Sequence, residues 1–423
     1  MSKNKGKPQK KHIHYGKGTP AVKSVTPASP KSTEELQRIE PINFKEQVTL
    51  VFNATDTLFF RESRPMEALG EAQSVFPPPV RTLAGAVRTL IGEHLGVNWH
   101  DFNENHVHFT DIGHGEKLGN LRFEGAWLAW NGKRLYPAPL HLMRKEGKLF
   151  QLTLDKDTVH CDLGKNVRLP KLPDRKLPDG DEPKGSKPLE NAWLTHAGLE
   201  AVLQGKSPLN YICDAKALFA SESRLGIARD NASRSVQKGM LYQTQHIRPK
   251  AELSIELDTH GLPDGFTTPS TLVRLGGEGR TASIGIKQTT NILPKADKIG
   301  KTFAIYLLTP LYGSPCLDFE RDKNSNPTVW KGTLNGVALT LHGAITGKVQ
   351  RVGGWDMAAN KPRPVKSLVP AGSVFFCSVD NDDDVTAAID ALHNKRIGNF
   401  TEYGYGHLAI GVWNDNDTQG NKA

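Results

Sequence analysis

Residues 76–96, FPPPVRTLAGAVRTLIGEHLG, constrain what this chain can fold into more than any other stretch. Three prolines favour an extended approach, and Pro79 is tolerable beside a first helical turn. Val80, Leu83, Ala84, Val87, Leu90, Ile91 and Leu95 then recur at steps of three and four. That spacing makes one apolar stripe, the pattern of a helix lying on a sheet. Arg81, Gly85, Arg88 and Gly92 fall on a second stripe, where two guanidiniums are separated by residues too small to hide a neighbouring chain. Such a stripe can receive a phosphate backbone or a partner protein, and a solvated basic face has the same pattern.

At 423 residues the chain exceeds one ordinary core, so two domains plus tails are expected. No apolar run approaches the roughly 20 residues that a membrane helix needs. The lysine-rich N-terminus has no apolar segment behind it, which predicts a cytoplasmic protein rather than a secreted one. Cys161, Cys213, Cys316 and Cys377 form no Cys-x-x-Cys pair and read as buried thiols. The net charge of +9 is unevenly placed: residues 1–33 hold eight lysines and no acid, leaving 46 basic against 45 acidic residues elsewhere. A nearly neutral body binds nucleic acid only through local basic grooves. The tail, over 1–40, reads as disordered, as do residues 414–423.

Along the chain, 47–54 reads as a strand, 121–140 as a hairpin turning at Asn131-Gly132, and a looser hairpin turns at Glu146-Gly147. Residues 169–188 read as a flexible insertion, and Thr195 caps a short helix. Residues 221–249 carry Arg224, Arg229, Arg234 and Arg248 among small polar residues and read as a flexible basic segment. Strands follow at 251–257, 272–287, 301–309, 337–341 and 373–379, a helix at 384–394, and a final strand after a glycine-aromatic turn at 401–413. Each half thus combines one amphipathic helix with antiparallel strands, an α+β pattern. Its simplest form is a pair of ferredoxin-like, RNA-recognition-type domains, 41–235 and 236–413.

Three glycine clusters, 276–280 (GGEGR), 353–355 (GGW) and 404–406 (GYG), match neither a phosphate-binding Walker loop nor a dinucleotide fingerprint. Glycines do let a backbone approach closely, and Arg280, Trp355 and Tyr405 could supply charge and stacking, so an RNA surface and plain turns both fit. His106 and His108 would share a face on a strand and, with Asp111 and His114 close by, offer a weak metal-site pattern. No hydrolase signature is present, and neither a metal nor another cofactor is expected.

The strings DTLFFRESRP (56–65), FPPPVRTLAGAVRTLI (76–91), ESRLGIARD (222–230), KGMLYQTQHIR (238–248), LGGEGR (275–280), GGWD (353–356), VPAGSVFF (369–376) and GYGHLAIG (404–411) resemble, in order and spacing, the third RAMP subunit of the Cmr complex. The resemblance covers about 47–413 and excludes the basic tail and the 169–188 insertion. It implies a non-catalytic subunit of a type III-B CRISPR effector with two ferredoxin-like domains, acting in antiviral defence. Such a subunit holds the 5′ tag of the guide RNA, docks the large polymerase/cyclase-like subunit and adjoins a backbone RAMP subunit. The candidate RNA contacts are Arg64, Arg81, Arg88, Arg224, Arg229, Arg274, Gly276, Gly277, Arg280, Lys287, Arg351, Trp355 and Tyr405. The alternative is a metal-independent endoribonuclease processing repeat RNA, with His94, His246 or His407 as acid or base.

Overall fold

A computed structural model describes residues 47–63, 71–173, 183–230, 232–267, 272–290, 292–312, 319–356 and 359–413, without the side chains of 228–229 and 236–240. The basic tail, Arg64, Cys316, the middle of the 169–188 insertion and the C-terminal tail lie outside these residues.

The helix Val80–His94 forms as its spacing predicts, and Val80, Leu83, Ala84, Val87, Leu90 and Ile91 are buried. Its partner is an eight-stranded antiparallel sheet. In order, the strands are Ile212–Asp214, Ala192–Leu194, Lys133–Pro137, Arg122–Trp130, Leu253–His260, Val48–Ala54, Thr281–Gln288 and Val273–Arg274. Val48–Ala54 lies between Leu253–His260 and Thr281–Gln288, with Leu50 opposite both Leu257 and Ile286. Leu50, Phe52, Ile255 and Leu257 meet Leu83, Val87 and Ile91 of the helix in one core. Full burial of each such side chain contributes about 1.5–3 kcal/mol, so this contact anchors the first half of the chain. Asn131 and Gly132 both take positive φ, 49° and 71°, as a two-residue hairpin requires.

A second antiparallel sheet runs Glu320–Arg321, Trp330–Leu334, Val337–Ile345, Val374–Ser378, Thr302–Leu307, Leu408–Val412. Thr302–Leu307 is buried on both faces. Phe303, Ile305 and Leu307 pack toward the helix Asp382–Leu392, whose N-terminus is closed by a capping box of Asn381 and Asp384. Ala304 and Tyr306 on the opposite face share a core with Trp127 and Tyr136 of the first sheet. The boundary expected at 235/236 does not follow the sheets, because Leu253–His260 and Thr281–Gln288 are strands of the first one. Their Ile255, Leu257 and Ile284 complete the core under the central helix.

Three local readings are revised. Residues 221–249 form a long antiparallel hairpin, Phe219–Arg229 with Val236–Pro249, held by backbone bonds that do not depend on apolar side chains. The insertion is strand at both described ends: Thr153–Cys161 pairs with Gly164–Lys171, and Lys187–Pro188 pairs with Leu142–Lys145. Residues 99–112 hold two short helices, Trp99–Asn105 and Phe109–Ile112, with His106 and His108 in left-handed conformations between them, so the two histidines do not share a strand face. Of the described cysteines Cys377 is buried, while Cys161 and Cys213 are half-buried. Among the described residues no helix is long and apolar enough to cross a membrane.

Candidate nucleic-acid interface

The chain leaves its first strand into residues 55–60, which are zipped to three other elements. Thr55 N donates to Thr281 O at 3.1 Å, Leu58 and Ile247 exchange backbone bonds of 2.8 Å, and Gly277 N donates to Phe59 O at 2.8 Å. The last contact explains the glycines. A Cβ on Gly276, whose φ is +86°, would lie 2.4 Å from Phe59 O, and one on Gly277 would lie 3.1 Å from the Phe59 ring. Only glycine lets this turn close on Phe59. The Phe59 ring also stacks on His246, 5.0 Å between centroids.

Above this seam lies a ring of alternating charge. Asp56 accepts from Arg224 at 3.0 Å and Arg248 at 2.7 Å, while Glu222 accepts from the Nε atoms of the same arginines at 2.9 and 2.5 Å. Hydrogen bonds from Arg248 and then Arg224 hold the Asp56 carboxyl down at about 2. The ring is neutral, two guanidiniums against two carboxylates. Arg280 brings a third guanidinium to the site: its Nε donates to Glu278 O at 3.1 Å, and its Nη1 lies 3.6 Å from Asp56. The Arg280–Glu278 contact is therefore to the backbone carbonyl.

The second stripe of the central helix is occupied by this chain's own residues. Arg81 lies over the rings of Phe400 (4.5 Å), Tyr403 (4.8 Å) and Tyr312 (5.6 Å) and donates to Glu116 at 2.9 Å. Arg88 donates to Gly115 O at 3.1 Å, and Gly92 is covered by Trp99. Gly85 alone of the four is open, with nothing within 4 Å of a Cβ built there. Arg81 and Arg88 are thus packing residues at least as much as surface cations. Glu116 also accepts from Arg363 at 3.3 Å, which ties this region to the strands Gln350–Val352 and Lys366–Leu368 and to the short pair Trp355–Asp356 with Lys361–Pro362.

The remaining candidates divide. Arg274, Arg351 and Trp355 are exposed. Lys287 pairs with Glu256, a fully buried carboxylate that Arg134 also holds. Tyr405 is 3% exposed, a core residue whose burial pushes its hydroxyl pKa up, so it offers no stacking face. Arg229 ends a hairpin strand. Sequence reasoning left out Asp56, Glu222 and Arg363 and named Arg248 only as part of a flexible basic segment, because a search for free cations overlooks the acids that fix them and the cations already engaged. Asp56, Glu222 and Arg248 all lay within the motif strings.

Two of the three histidine candidates are enclosed. His246 and His407 are 1% and 4% exposed, and burial holds both pKa values below the ordinary 6.5, that of His407 at about 3. His94 is exposed and lies edge-on to Phe266. Among the described residues no three side chains of metal-ligand type are grouped to hold an ion.

Two antiparallel sheets, a helix on each, and an arginine-lined seam closed by a glycine turn define a strand-rich protein of mixed α and β structure. Residues 50–413 match the model of the CRISPR-associated protein family Cas_Cmr3, and the chain belongs to that family. Among solved structures it is similar to a chain of the type III-B Cmr-beta complex bound to cognate target RNA and AMPPnP, at 15% identity and TM-score 0.43, covering 86% of this chain and 98% of that one. It is also similar to a chain of the Csm3–Csm4 subcomplex of the type III-A CRISPR-Cas interference complex, at 11% identity, TM-score 0.35 and coverage of 79% and 92%. A RAMP protein binding different RNA substrates follows at 9% identity, TM-score 0.25 and coverage of 86% and 98%. Comparison with curated proteins finds no match.

Proposed function

We propose that the chain is a non-catalytic subunit of an RNA-guided type III-B CRISPR effector complex acting against foreign RNA. In this reading it holds the 5′ tag of the guide RNA and docks the large polymerase/cyclase-like subunit beside a backbone RAMP subunit. One observation carries it besides family membership: four of the family-like strings, remote in sequence, meet at one seam, through 56–60, 222–224, 244–248 and 275–280. Base pairing reads the target in such complexes, so the protein needs only to grip a backbone and splay the tag. Arg280 is the proposed grip, with Arg274 beside it and the Arg224–Arg248 ring as a wall; Gly276 and Gly277 serve it by closing the turn on Phe59. The two sheets, each with its helix, are read as a pair of ferredoxin-like units.

The test is a salt titration of binding by the full chain and by Arg280→Ala, on RNA with and without the tag. The variant is expected to lose about 1–3 kcal/mol on tagged RNA if Arg280 reads a base edge, or to show a shallower salt slope if it meets a phosphate. Wild-type protein that binds both RNAs equally would reject tag recognition, and equal affinity and slope for the two proteins would remove Arg280 from the site.

A further inference from the structure

Residues 348–356 and 359–368 leave the second sheet as an arm built from two short strand pairs, Gln350–Val352 with Lys366–Leu368 and Trp355–Asp356 with Lys361–Pro362. Its root is fixed: Val352 and Leu368 are buried in the core under the central helix. Beyond the root the arm presents Trp355, 53% exposed, together with exposed Lys348, Arg351 and Lys366. Its one acid, Asp356, lies 3.9 Å from Arg363. Exposing an indole is costly in water, and here it is not a fraying end, because the backbone is held on both sides. Arg363 N donates to Gly354 O at 2.9 Å, its Nε donates to Trp355 O at 3.4 Å, and its Nη1 reaches Glu116 on the body. Arg363 is therefore a positioning residue with its guanidinium engaged, whereas Arg351 and Lys366 stand opposite Ser367 and Val352, with no acid across from either. A Cβ built on Gly354 meets nothing within 4 Å, which leaves the approach to the neighbouring indole open.

From this geometry we propose that the arm is a stacking platform for unpaired RNA: Trp355 takes the face of a nucleobase, and Arg351 and Lys366 take flanking phosphates. The inference rests on the RNA-binding reading above and gives Arg351 and Trp355, with Lys366, a role apart from the Arg280 seam. An exposed aromatic face among cations suits a single strand, whose bases offer free π faces, and gives little sequence preference. A duplex buries those faces in its own stack.

The experiment measures binding of the full chain to a labelled single-stranded oligoribonucleotide and to the same oligonucleotide annealed to its complement. Trp355→Ala is expected to weaken single-strand binding about tenfold or more and to leave duplex binding nearly unchanged, while Trp355→Phe keeps most of the affinity. Arg351→Ala and Lys366→Ala should each lower the salt slope on the single strand by about 0.7. Thermal melts of the variants report on folding. If wild-type protein fails to bind the single strand, the RNA-binding reading fails and the platform with it. If wild type binds and Trp355→Ala binds equally well, the platform is overturned while that reading stands. Equal losses on both RNAs would also overturn it, as would unchanged RNA affinity with loss of a protein subunit from the assembled complex.

Discussion

Two ionic clusters in this molecule have the same composition and different roles. In one, Arg134 donates to Asp258 at 2.7 and 2.6 Å and to Glu256 at 3.1 Å, Lys287 also reaches Glu256, and Thr49 donates to Asp258 at 2.6 Å. In the other, Arg224 and Arg248 alternate with Asp56 and Glu222. Each has two cations and two carboxylates. The carboxylates of the first are 0% and 2% exposed, those of the second 45% and 32%. Desolvation turns the first into an obligate structural unit, since a buried charge that loses its partner has nowhere to go. Water screens the second, so it adds little stability and serves to hold its arginines in place at the surface.

The sharpest way to break this contrast is one substitution made in both places. Arg134→Met, which leaves two buried carboxylates with one lysine, should cost about 3–5 kcal/mol in equilibrium unfolding. Arg224→Met should leave the unfolding midpoint close to wild type. Similar losses in the two variants would mean that the exposed ring is structural after all.

Acid separates the clusters from the buried histidines and should have the next largest effect. His407, His393 and His141 are held neutral chiefly by burial, at about 3, 4 and 4 against an ordinary 6.5. The unfolded chain takes up their protons first, so the stability they confer is complete above about pH 6.5 and falls as the pH drops toward those values. For His407 the loss is on the order of a few kcal/mol, and His407→Gln should flatten the pH dependence of Tm between pH 6.5 and 4. Asp56, held at about 2 against an ordinary 3.8, contributes above 3.8 and loses its effect only as the pH falls through about 2. A slope unchanged by His407→Gln would contradict this assignment.

The smallest effect sharpens the ring itself. Glu222→Gln removes one carboxylate shared by Arg224 and Arg248 and raises the local charge by one. RNA binding should become more salt-dependent while the melting temperature stays put. A reduced salt slope would show that Glu222 had been orienting the arginines toward phosphate.

How far the sequence could be read depended on whether an element's side chains repeat. The central helix, the Asn131-Gly132 turn and the Thr195 cap were legible because spacing or local conformation alone fixes them. The hairpin 219–249 was not, since one of its faces carries Glu222, Arg224, His246 and Arg248, which give no apolar alternation. The histidines at 106 and 108 alternate in sequence but sit in left-handed turns between two helices. At the candidate site the glycine turn and Arg280 were legible as types. The engagement of Arg224 and Arg248 was not, because Asp56 is 168 residues from Arg224, and Glu222 faces both arginines only once the hairpin pairs.

By itself, then, the sequence determined that a helix with one apolar face must lie on a sheet, that the body is nearly neutral beside a basic tail, and that glycine and arginine recur together. Those properties are local and survive in any tertiary arrangement. Only the tertiary structure decided which cations remain available. Arg81 is taken by three aromatic rings and Glu116, Lys287 by a buried glutamate, and Tyr405 by the core, while Arg351 and Trp355 stay in water. A side chain's charge is encoded at its own position. Its solvation and its partners come from segments far away in the chain, and these decide whether the charge can meet a ligand.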